Sequence, residues 1–141
     1  MDYNLEPPQK KIKISKTGYN INNYIDIGDI TKKLIIEYYT AIKDNDIQKL
    51  YDSNIIRDYT TIKYNTDKLK GGNIIPFLSK FSYYKINVNK YNYIDSGSRR
   101  IDITVIGNLL NESENIKFNQ TFIICNQDNS WYIKNSIFLI F

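Results

Sequence analysis

With no histidine and a single cysteine, Cys125, in 141 residues, the chain lacks the side chains on which most nucleophilic and zinc chemistry depends. Ser-His-Asp and Cys-His arrangements are excluded, and so are imidazole-based zinc sites and CxxC redox pairs. Neither GxxxxGKS/T nor GxGxxG occurs, which removes the usual phosphate cradles. Carboxylates and tyrosines are what remain. Asp102 has the best claim to chemistry, because it falls in the middle of the strand-like run "RRIDITVIGNLL", where burial would raise its pKa towards that of a general base. The plainer expectation is that it faces water on the polar side of a strand. No catalytic residue, cofactor or metal site is expected.

Charge points the same way. The net charge of +4 owes much to Lys10, Lys11, Lys13 and Lys16, which leaves the remainder close to neutral. A basic face of the kind expected of a nucleic-acid binder is not visible, so direct nucleic-acid binding is not expected. "PPQKKIKIS" resembles a short nuclear-localisation cluster centred on Lys10, Lys11 and Lys13, although a solvated lysine tail explains it equally well. There is no apolar secretory leader and no run of about 18 apolar residues, so a soluble, intracellular protein with a reduced thiol and no membrane insertion is expected.

The elements that must position these residues follow from periodicity. Residues 1 to about 27 show none and read as a flexible tail, leaving 28–141 as one domain. Asp29 precedes "ITKKLIIEYYTAIK", whose apolar residues recur at helical spacing, and it is placed to cap that helix. "DNDIQKLY" predicts a second, shorter helix and "GGNIIPFLSKF" a third, with Pro76 tolerated only in the first turn. "IIRDYTTIKYN" has strand composition. After Phe81 four strand-like segments are separated by Asp95-Ser96-Gly97-Ser98, Asn111-Glu112-Ser113-Glu114 and Gln127-Asp128-Asn129-Ser130, all turn chemistry of hairpin length. The expected class is α+β, with about three helices on one face of a curled antiparallel meander. The strands alternate imperfectly: Thr104, Ile106, Thr121, Ile123 and Cys125 leave the second face partly apolar as well.

"IIEYYTAIKDNDIQKLYDS", "LKGGNII", "VIGNLL", "FNQTFII" and "WYIKNSIF" together resemble the nuclear transport factor 2-like family over roughly Ile30 to Phe141. Tyr38-Tyr39, Leu50-Tyr51, Gly71, Gly107, Phe118-x-Gln120-x-Phe122 and Phe138 fall in the family's order. The resemblance implies helices packed into a cone-shaped, bent antiparallel sheet that associates through its open face. It also implies a non-enzymatic protein-binding role in nucleocytoplasmic transport, in the nucleus and cytoplasm. Closest is the export-type cofactor, which pairs with an mRNA export receptor; a homodimer of the chain is the other pairing. An import carrier for Ran-GDP that also meets nucleoporins, and a small cavity enzyme of dehydratase or isomerase type using Asp102 and a tyrosine, are the alternatives.

For the partner interface, Phe118, Gln120, Phe122, Trp131, Ile133 and Phe138 are expected to face out. For a GTPase contact, the positions implied by the resemblance are Tyr64, Asn65, Glu112 and Glu114. The import carrier has a tryptophan and glutamate where this chain has Tyr64-Asn65, and an amide cannot form the salt bridge to a GTPase lysine. The family's common Asn-Asp-x-Phe-Arg ending is replaced by Asn135-Ser136-Ile137-Phe138-Leu139, which would make a polar subunit contact apolar here.

Overall fold

The computed structural model describes residues 26–141. The Lys10, Lys11, Lys13 cluster and nearly all of the expected tail lie outside the described residues. Helix α1 (Ile27–Lys43) starts one residue before the expected domain boundary, and its cap is Asp26, not Asp29. One Asp26 carboxylate oxygen accepts from the backbone N–H of Gly28 at 3.0 Å and of Asp29 at 3.4 Å. Asp29 instead sits in the first turn, where its charge meets the positive end of the helix dipole. Ile27, Thr31, Leu34, Ile35, Tyr38, Tyr39 and Ile42 form one buried stripe at the spacing an amphipathic helix requires.

After the short helix α2 (Gln48–Asp52) comes the hairpin of β1 (Thr61–Tyr64) and β2 (Asp67–Lys70), the latter an edge strand for which the sequence gives no separate signal. A 3-10 turn at Gly71–Asn73 leads into α3 (Ile74–Ser79). Pro76 is its third residue, where the missing N–H would have had no helical partner.

Strands β3 (Lys85–Gly97), β4 (Arg100–Leu110), β5 (Asn115–Gln127) and β6 (Ser130–Ile140) form the antiparallel meander. The sheet order is β2-β1-β6-β5-β4-β3, and β1 joins β6 in parallel, the one departure from an antiparallel sheet. Ladder irregularities between Val88 and Lys90, between Asp95 and Gly97, and between Ile123 and Ile124 bend and twist the long strands around the helices. Two turns have paired residues at positive φ, Ser98-Arg99 and Asp128-Asn129, the backbone that matches strand twist in a two-residue hairpin.

The core lies between α1, α3 and the concave face of the sheet. Tyr38 meets Phe122 edge-on with ring centroids 4.9 Å apart, and Phe138 collects Phe118 at 5.5 Å, Phe81 at 5.2 Å and Tyr64 at 5.8 Å. Gly107, in the middle of β4, permits this packing. A Cβ there would lie 2.7 Å from Cζ of Phe118 and would collide with the backbone oxygen of Asn87.

Candidate protein-binding face

Strand alternation assigns every meander residue to one side. On β5, Phe118, Gln120, Phe122 and Ile124 point inward; Lys117, Asn119, Thr121, Ile123 and Cys125 point outward. The expected interface is therefore on the wrong side of the sheet. Phe118 is 1% exposed, Gln120 2%, Phe122 0%, Ile133 0% and Phe138 5%, all covered by the helices. Trp131 is half-buried against the same core, in a cleft with Ile30 and Leu34 of α1 and with Ile55. An apolar alternation reveals that one face is covered, but does not say by what. The chain's own helices cover this one.

Gln120 holds the interior together. Its side-chain oxygen accepts from the Tyr39 hydroxyl at 2.7 Å, and its amide donates to the Tyr38 hydroxyl at 3.1 Å and to Ser136 Oγ at 3.0 Å. Ser136 in turn donates to the Thr121 carbonyl at 2.7 Å. Burial pushes the Tyr38 hydroxyl far above the ordinary tyrosine pKa, with the Gln120 hydrogen bond acting weakly the other way. Around this network the cavity measures about 10 Å³, lined by Tyr38, Tyr39, Phe81, Phe118, Gln120 and Phe138 among others and by no carboxylate. That is space for about one water. Two open clefts flank α1, about 340 Å³ beside α2 and about 380 Å³ beside Trp131.

Asp102 is not part of the interior. It lies on the outer face, where Arg100 Nε donates to Oδ1 at 2.8 Å and Nη2 to Oδ2 at 3.2 Å. The Arg100 hydrogen bonds hold its carboxyl below the usual range against a smaller opposing effect of burial, the reverse of what a general base needs. Among the described residues no three Cys, Asp or Glu converge on a metal position, and no helix is long and apolar enough to cross a membrane.

The candidate GTPase contacts sit on two turns at one end of the sheet, because Tyr64 is level with Phe138 on β6 and Ile140 with Phe118 near the start of β5. Tyr64 is committed to packing, stacked on Phe138 and tilted against Phe77 at 5.2 Å. Asn65 is exposed at positive φ in the β1–β2 turn. Glu112 is exposed, and Glu114 accepts a hydrogen bond from the Tyr84 hydroxyl at 3.2 Å.

The outer face is what remains open. Register aligns Ile94, Asp102, Ile123, Asn135 and Thr61 across the strands, and alongside them Asn92, Thr104, Thr121, Ile137 and Lys63. Four large apolar side chains on this face stay in solvent: Ile94 (63% exposed), Ile106 (36%), Ile137 (42%) and Leu139 (41%). Further along, Tyr132 is covered by the Arg57 guanidinium, 4.2 Å above its ring, and by Tyr59. Sequence alternation had marked Ile106 and Ile123; Ile137 and Leu139 were hidden by the extra residue in β6 that shifts the register opposite Ile123 and Ile124.

Comparison with known proteins agrees with this architecture. No curated protein matches. A solved structure of an NTF2-like protein from Cytophaga hutchinsonii superimposes with a TM-score of 0.66 at 12% identity, covering 80% of this chain and 97% of that one. A Shewanella frigidimarina protein assigned as a ketosteroid isomerase has a TM-score of 0.64 at 10% identity, with 75% and 91% covered. A chain of the yeast deubiquitinase Ubp3 and Bre5 cofactor complex has a TM-score of 0.65 at 19% identity, with 82% and 96% covered. At these identities the likeness is one of fold. Residues 30–140, nearly the whole described region, match the family model for the nuclear transport factor 2 (NTF2) domain, and the chain belongs to that family.

Proposed function

We propose that the chain is a non-enzymatic protein-binding subunit that docks its partner on the outer face of the sheet, and that it serves nucleocytoplasmic transport as an export-type mRNA cofactor. The observation that carries the binding role is the strip of Ile106, Ile123, Ile137 and Leu139, which no helix of the described residues covers. Solvated isoleucines in the centre of a sheet are what a docking surface looks like when empty. The interior supports the same choice over catalysis: a cavity of about 10 Å³ cannot admit a substrate, whereas ligand sites occupy about 300–1,000 Å³. One protein of the same fold is found in a complex of a deubiquitinase with its cofactor, which makes a binding role natural for this architecture. The transport role itself rests on family membership and on the "FNQTFI" and "WYI" likeness to the export cofactor.

The Ran-GDP carrier is the weaker alternative, since Tyr64 is half-buried and stacked on Phe138 and Asn65 carries no charge to offer a GTPase lysine. Titration calorimetry of the purified chain against an mRNA export receptor and against Ran-GDP separates the two. Binding to the receptor that is lost on Ile137→Asp supports the proposal. Binding to Ran-GDP that weakens on neutralising Glu112 and Glu114, with none to the receptor, overturns the export role.

A further inference from the structure

We infer that the partner is a different chain whose docking face is bordered by acidic residues, and that the outer face opposes pairing with a second copy of itself. This rests on the outer face being the interface. Strand alternation sends Lys63 of β1, Lys68 and Lys70 of β2, Lys85 and Lys90 of β3, and Lys117 of β5 to that side, all exposed. Lys63 stands directly opposite Lys68, a like-charge cross-strand pair that weakens a hairpin with nothing to offset it. Among the described residues no carboxylate is ion-paired with any of the six. Within the strands of this face the carboxylate is Asp102, and Arg100 already holds it. Six exposed lysines against one carboxylate already held by Arg100 give the strands of this face a local positive excess around the apolar strip.

A symmetric dimer through this face would bring two such borders together, and like charges across an interface suppress the wrong partner. The N-terminal segment cannot supply the missing negative charge, since its Asp2 and Glu6 are outnumbered by Lys10, Lys11, Lys13 and Lys16. Nucleic acid would match the charge but not the centre. Single strands are held by stacking on exposed aromatic rings, and the middle of this face presents isoleucine and threonine. An apolar strip ringed by lysines fits an apolar patch ringed by Asp and Glu.

The test uses an artificial acidic partner: the full chain with Lys63, Lys68, Lys70, Lys90 and Lys117 each replaced by Glu. A smaller variant with only the three β1–β2 lysines replaced serves if the first does not fold. Sedimentation equilibrium at about 50 mM and about 500 mM salt compares the natural chain alone, the mixed pair, and the mixed pair carrying Ile137→Asp, where screening over about 10 Å or less separates border charge from the apolar contact. The expected result is a mixed pair at least about tenfold tighter than natural self-association at low salt, weakened by high salt and by Ile137→Asp. Self-association of the natural chain as tight as the mixed pair overturns the inference while leaving the face as an interface. A mixed pair indifferent to Ile137→Asp overturns the interface itself, and a mixed pair that does not form overturns the inference. Random-sequence single-stranded RNA bound more tightly than the mixed pair would overturn it in favour of nucleic acid.

Discussion

Gln120 and Gly107 show what single residues do here. Gln120 accepts from the Tyr39 hydroxyl that α1 brings into the core, so Gln120→Leu removes this buried hydrogen bond. An unmade buried hydrogen bond costs about 1–3 kcal/mol, and urea denaturation should show a loss of that size. Gly107→Ala forces a Cβ into the Phe118 ring and the Asn87 carbonyl, and overpacking of this kind costs about 1–3 kcal/mol; the same urea experiment reads it. Asp102 makes a pH prediction. Its folded pKa is depressed by Arg100, so the pair's contribution is complete above the ordinary carboxylate range and is lost as pH falls through the lowered value. Both partners are well exposed, so the effect is small. Asp102→Asn should flatten that part of the acid limb in denaturant midpoints measured between about pH 7 and pH 2, and leave neutral-pH stability nearly unchanged. Gln120 was visible in the sequence as a polar residue between two phenylalanines. What periodicity could not supply was the identity of the covering layer, which depends on where α1 packs some 80 residues away in sequence.

At the level of elements, α1, α3 and the four meander strands follow from apolar spacing and turn chemistry, because local patterns of period 3.6 and 2 survive in the folded chain. Two things were not local. The four-residue strand β2 is too short and polar to announce itself, and exists because β1 offers it a partner edge. The parallel β1–β6 pairing joins segments separated by most of the domain. The turns refine the separators: β3 continues to Gly97, and Ser98-Arg99 make the reversal at φ 51° and 59°. An L-residue in that region carries a cost of about 1–2 kcal/mol that glycine avoids, offset in part by glycine's freer unfolded chain. Arg99→Gly should therefore raise stability modestly, by up to about 1 kcal/mol, seen as a higher urea midpoint without altered binding.

The whole molecule is a sheet with two apolar sides and one set of helices. Its inner side is filled: aromatic rings and the Gln120 network leave a cavity of only about 10 Å³ there. Its outer side is not, and the lysines around Ile106, Ile137 and Leu139 give that side a sign as well as a surface. No basic face is legible in the sequence, because the six lysines come from four different strands and only the pleat of the sheet gathers them on one side. Ile137→Asp lies in solvent, so it should cost no more than about 1 kcal/mol of stability while abolishing partner binding. Gln120→Leu should do the opposite, lowering stability and sparing affinity in whatever fraction stays folded. The most direct measurement is a methyl NMR titration of the isoleucine-labelled chain with an mRNA export receptor. Docking on the outer face predicts shifted or broadened signals from Ile106, Ile123 and Ile137, with Ile35, Ile62, Ile124 and Ile133 unmoved. Shifts confined to that inner set, with the outer methyls unchanged, would contradict it.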